Sequence, residues 1–200
     1  MDFRGRYLIP APPDAVWAAL HDPDILASCI PGCDGVTRLS DTDYRAQATV
    51  KIGPVRARFT GKVTWAQRPA PDGFAHAGVL SGEGQGGPAG FARGESHILL
   101  APDGESTLLT YDTKAVIGGK LAQIGQRLID ATAKSMSDQF FAKFDALMRA
   151  GGKAAGAKAA PAQPPRRRPA EVGLKPQIWL AGIIGIVIVL LILFGLVLGR

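Results

Sequence analysis

Three histidines, two cysteines and one glycine-rich run are the places where this 200-residue sequence offers recognisable chemistry. Arg93, Glu95 and His97 alternate along one stretch, so in a strand they project to one side, as a general acid–base group would. The positions between and beside them, Ala92, Gly94, Ser96 and Ile98, have the character of an inward-facing set. The charged trio is therefore expected on the solvated face. Cys29 and Cys33 stand in a C-x-x-x-C spacing around Pro31-Gly32. A redox pair usually has two intervening residues, and a zinc site needs two further ligands nearby. The pair reads as two small residues framing a turn. Gly82, Gly84 and Gly87 satisfy G-x-G-x-x-G, but a dinucleotide site needs that pattern between a parallel strand and a helix N-terminus. Pro88, Gly90 and another strand pattern follow instead. The glycines suit a hairpin that gates a cavity mouth, or an ordinary loop. No Ser–His–Asp order, metal cluster or nucleophile elbow stands out. The residues argue against an enzyme and imply no catalytic or metal site.

The elements around these residues follow from periodicity. Phe3 to Ile9 reads as a strand ended by Pro10, and Pro12-Pro13-Asp14 leads into a short helix over Ala15 to Leu20, with proline and an acid at its start. Asp22-Pro23-Asp24 opens a second short helix over Ile25 to Ser28, stopped by Pro31-Gly32. From about Val36 to Ile117 the pattern is of strands. Tyr44 to Ile52 alternates, Gly53-Pro54 turns, and Val55 to Trp65 alternates again, an antiparallel hairpin with one dry and one wet face. Phe74 to Glu83, Gly90 to Leu100 and Thr107 to Val116 are further strands. From Gly119 to Ala150 the period becomes helical, with Leu121, Ile124, Leu128, Met136, Phe140, Phe144 and Leu147 on one stripe. Small residues on the dry face (Ala46, Ala48, Ala57, Gly61) leave room for this bulky helix. The space between them is either an apolar cavity or a filled core. The fold class is α+β, a curved antiparallel sheet gripping a long C-terminal helix.

The overall charge of +6 is unevenly placed. Residues 1–150 carry sixteen basic and sixteen acidic side chains, whereas residues 151–176 carry six bases against Glu171 alone. The neutral domain argues against nucleic acid. The basic Ala/Pro-rich stretch 151–176 reads as a disordered, flexible linker suited to anionic lipids. Ile178 to Leu198 is a run of twenty-one uncharged residues, long enough as a helix for the roughly 30 Å of a bilayer core. Residues 177–200 are therefore expected to form one transmembrane anchor. The N-terminus lacks the apolar run of a signal peptide, which puts the domain on the cytoplasmic side of a single-pass inner-membrane protein.

Several short motifs occur in a distinctive order: Asp22-Pro23, Cys29-Ile30-Pro31-Gly32-Cys33, Gly53-Pro54-Val55, Gly86-Gly87 with Ala89-Gly90-Phe91, Gly118-Gly119-Lys120-Leu121-Ala122, and Gln139-Phe140-Phe141. With the order β-α-α, six strands and a long helix, residues 1–150 resemble the carbon monoxide dehydrogenase CoxG family of the START-like (polyketide cyclase and Bet v 1-type) helix-grip superfamily. The resemblance implies an accessory protein that recruits a molybdenum-hydroxylase-type carbon monoxide dehydrogenase, or a related molybdenum hydroxylase, to the membrane. It implies no covalent cofactor and a respiratory quinone or lipid held between sheet and helix. Phe59, Trp65, Tyr111, Leu121, Ile124, Leu128, Phe140 and Phe144 would line that pocket, or else form plain core. Pro31, Gly32, Gly87 and Phe91 would form its mouth. The alternatives are a docking or assembly factor with a filled core and, third, a START-like enzyme.

Overall fold

The computed structural model describes residues 1–156. The expected membrane anchor 177–200 and almost all of the expected linker 151–176 lie outside them. Among the described residues no helix is long and apolar enough to cross a membrane.

Seven strands form one sheet: β1 (Asp2–Ile9), β2 (Cys33–Arg38), β3 (Asp43–Ile52), β4 (Val55–Arg68), β5 (His76–Gln85), β6 (Phe91–Asp103) and β7 (Ser106–Gly118). Their order is β1-β7-β6-β5-β4-β3-β2, and every neighbouring pair is antiparallel. The chain thus closes from β1 to the last strand and then meanders back. Two short helices, α1 (Pro13–Leu20) and α2 (Pro23–Cys29), separate β1 from β2. Proline begins both, where its missing N–H costs nothing. Asp22 caps α2, its carboxylate accepting from the Asp24 and Ile25 amides at 2.8 and 3.2 Å.

The alternation read in β3 and β4 is realised side by side. Tyr44, Ala46, Ala48, Val50 and Ile52 are buried, as are Phe59, Val63 and Trp65. The two strands join by a two-residue turn, with Ile52 opposite Val55 and Gly53 at φ 56°, a conformation that favours glycine.

The long helix, α3 (Gln126–Gly156), differs from expectation at both ends. Residues 119–124 form a 3-10 turn, and Gly125 at φ 97° separates it from the helix. The helical phase therefore starts at Gln126 and not at Gly119. The buried face becomes Ile129, Ala133, Met136, Phe140 and Phe144, spaced by fours and one three as an amphipathic helix requires. At its other end the helix continues past Ala150 to Gly156, through Gly151-Gly152 where the linker was expected to begin.

Candidate functional site

The inward faces of β4, β7 and α3 converge on the interior of the grip. Phe59, Trp65, Tyr111, Leu121, Phe140 and Phe144 belong to one contiguous apolar cluster, each no more than 5% exposed. Phe140 and Phe144 stack at 5.8 Å, and Phe141 meets Phe140 edge-on at 5.1 Å. Phe141 also lies against Tyr7, with ring centroids 3.7 Å apart. Burial pushes the Tyr7 hydroxyl far above its ordinary value, so it remains a donor to Asp138 at 3.4 Å. Ile124 is half-buried against the same cluster.

Leu128 is the correction among the expected lining residues. It is 46% exposed, because the break at Gly125 rotates the helical stripe onto Ile129. Trp65 faces a different neighbourhood from the phenylalanines. Its ring lies 4.5 Å from His21 and 5.5 Å from Trp17, and Trp17 stacks on His76 at 5.0 Å. Gly78 makes this cluster fit, since a Cβ there would come within 2.8 Å of Trp17 and 3.2 Å of Trp65. Burial lowers the His21 pKa, and its Nδ1 hydrogen-bonds the Trp17 carbonyl at 2.7 Å.

The expected mouth does not assemble as one opening. Pro31 and Gly32 line a depression of about 390 Å³ with Thr49, Lys51, Met136 and Gln139. Gly87 lines a separate one of about 610 Å³ between the β3–β4 turn and the Gly86–Ala89 loop. Phe91 lies on the outer face, 37% exposed, with its ring over Gly118. It shares that face with Arg93, Glu95 and His97, whose imidazole and carboxylate meet at 2.9 Å in solvent. The glycine-rich loop is seated: a Cβ on Gly86 would lie 2.3 Å from the Phe59 ring, and the Gly86 amide bonds the Gly90 carbonyl at 2.8 Å.

A third depression, about 640 Å³, was not anticipated. It lies at the far end of the domain, where Pro10, Ala11, Ala15, Ala18, Ile25 and Met148 give an apolar floor and Asp22 and Glu105 add carboxylates. Ala15 and Ala18 lie three apart on α1, a helical spacing that was legible beforehand.

Two interior polar groups were also missed. The Trp65 Nε1–H and the Ser137 hydroxyl are buried without a hydrogen-bond partner among the described residues. Such a donor typically costs about 1–3 kcal/mol. Ser137 stands four residues from both Ala133 and Phe141, which places it on the inner stripe of α3. The cysteines are free, Cys29 buried and Cys33 half-buried, and burial pushes both thiols up. They stay protonated and inert. Among the described residues no group of His, Cys, Asp and Glu could hold a metal.

The comparisons with known proteins now bear on this interior. Residues 5–148 match the family model for CoxG, a subunit of carbon monoxide dehydrogenase. The chain belongs to that family. No curated protein matches it. A conserved protein from Geobacillus kaustophilus is 30% identical, with a TM-score of 0.66 over 76% of this chain and 97% of that one. The Zhui aromatase/cyclase from Streptomyces sp. R1128 is 16% identical, with a TM-score of 0.56 over 78% and 98% of the two chains. A START superfamily protein from Mycobacterium smegmatis is 14% identical, also at 0.56, over 74% and 97%. The last two show the fold alone, which makes this CoxG family member a START-like helix-grip protein.

Proposed function

We propose that this protein is a membrane-anchored accessory subunit of a molybdenum-hydroxylase-type carbon monoxide dehydrogenase. It recruits the enzyme to the cytoplasmic face of the inner membrane and holds a respiratory quinone, or a lipid, inside the grip. The observation that carries the accessory role is the family match across residues 5–148, nearly the whole folded part. The ligand reading is supported by the interior. A quinone offers carbonyl oxygens and a flat apolar ring. The Trp65 indole and the Ser137 hydroxyl are buried donors without partners, one on the sheet and one on the helix, amid aliphatic and aromatic side chains. Two carbonyl acceptors would remove the cost of leaving those donors unpaired. The chain's own part is to bind and orient such a molecule and exclude water from it; no covalent cofactor is required.

A second reading rests on a different observation. Phe59, Phe140 and Phe144 are completely buried, as in a filled core, which favours a docking or assembly factor without cargo. The two separate in one experiment. The full chain is purified from its native membrane, extracted, and the extract analysed for quinones by mass spectrometry; Trp65→Phe and Ser137→Ala are treated alike. The carrier reading expects stoichiometric quinone in the wild type and loss in the variants, with unchanged melting temperature. A quinone-free chain that still brings the dehydrogenase to membranes sinks the carrier and leaves the docking factor.

A further inference from the structure

The β3–β4 turn forms one end of the domain, and its charges are unusual. Lys51 and Arg56 lie directly opposite each other across the two strands. Like charges in that position destabilise a strand pair, and neither side chain meets a carboxylate among the described residues. Arg58, one step further, is held by Asp34 at 3.0 Å. Lys120 enters from the 3-10 turn, and with Arg56, Arg58, Pro54, Ala57 and Pro88 it lines the depression of about 610 Å³. Residues 44–58, 84–94 and 116–129 contain no Asp or Glu at all. The middle of this basic end is apolar. A Cβ at Gly53 would sit 3.4 Å from Leu128 and 3.5 Å from Ile124, so the turn rests on those two side chains. Leu128 and Pro54 are exposed, and Val55 and Ile124 are half-buried.

We propose that this end of the domain is a contact surface for an anionic lipid bilayer. Pro54, Val55 and Leu128 enter the headgroup region, while Lys51, Arg56 and Lys120 meet lipid phosphates. Long cationic side chains around a small aliphatic centre suit an interface that is apolar in the middle and anionic at the rim. A protein partner would instead call for a buried aromatic or arginine anchor in a fitted pocket, and the centre here is aliphatic and shallow. The proposal rests on the membrane-anchored reading above and adds to it which side of the domain meets the lipid. The geometry permits both attachments at once. The α3 helix, 31 residues long, spans about 45 Å at 1.5 Å per residue. The twenty residues from 157 to 176 reach up to about 65 Å when extended. The domain can therefore rest on its basic end while the chain returns to the bilayer from the other.

The test is amide exchange on the full chain reconstituted in phosphatidylcholine discs with or without phosphatidylglycerol. Slower exchange over 51–58 and 119–128 is expected only in the anionic discs and at low salt. Lys51→Glu with Lys120→Glu should abolish it, at roughly fivefold loss of association per charge removed. Leu128→Ser should weaken it with the charges intact. Both variants are surface changes, and a thermal melt checks that each is folded. Identical exchange in the two kinds of disc, for a chain that has inserted, overturns the proposal and leaves the anchor standing. A chain that does not insert, yet shows the same protection when anionic vesicles are added, refutes the anchor and supports the contact surface. Equal protection by soluble polyglutamate overturns the lipid assignment in favour of an acidic protein.

Discussion

The two ends of α3 lie in opposite chemical surroundings, although the folded part as a whole is neutral. Near Leu128 the helix meets a turn and a loop whose unpaired side chains are Lys51, Arg56 and Lys120. Twenty residues on, about 30 Å away along the axis, Met148 borders a groove carrying Asp22 and Glu105. The segments that build that groove, residues 10–25 and 102–107, contain five acids and no Lys or Arg. A balance of zero over residues 1–150 therefore describes a dipolar domain and not an uncharged one. Net charge sums over directions, while a membrane or a partner meets only one face at a time.

Four changes would break or sharpen this contrast. The largest effect is expected from Phe140→Ala, which removes a fully buried ring from the core that holds the two ends together. It should cost about 3–5 kcal/mol in chemical denaturation and loosen both ends alike. Next comes Gly86→Ala, confined to the basic end, where the new methyl would meet Phe59 at 2.3 Å. A loss of roughly 1–3 kcal/mol is expected, with faster amide exchange in the loop around residue 87 and none near Met148. Lys51→Glu should act in the other direction. It replaces a repulsive cross-strand pair by an attractive one, so the protein should gain about 0.2–1 kcal/mol while its anionic-lipid contact weakens. A stability loss there would show that the like charges are accommodated in some other way.

The smallest effect belongs to pH and to the acidic end. The folded-state pKa of His21 is lowered, chiefly by burial, so the unfolded chain takes up a proton more readily than the folded one. Its contribution is complete above the ordinary value of about 6.5 and is lost as pH falls through the folded pKa. Thermal melts between neutral and mildly acidic pH should show this loss in the wild type. His21→Phe should flatten the dependence.

Much of this could be read from residue types alone. Alternation in β3 and β4 requires one wet and one dry face whatever the surroundings, because side chains on a strand point alternately to opposite sides. The same parity places Phe91 with Arg93, Glu95 and His97 on the outer face, and counting from His97 back by twos would have kept it out of the mouth. Leu128 was harder. Its stripe fits a helix begun at Gly119, and only the left-handed backbone at Gly119 and Gly125 shifts the phase onto Ile129. Glycine is indifferent to the sign of φ, so its presence permits such a break without announcing it.

The sequence by itself determined the order of elements, the antiparallel strand pattern, the inward set on the sheet, the solvated trio and the family resemblance, since each depends on local periodicity or on motifs in line. Only the tertiary structure decided which residues share a place. It set Trp65 beside Trp17 and His21, left Trp65 and Ser137 as buried donors without partners, split the expected mouth into separate depressions, and gathered Lys51, Arg56 and Lys120 at one end. Those juxtapositions join residues tens of positions apart, and their distances come from sheet register and helix phase, which no single stretch of chain contains.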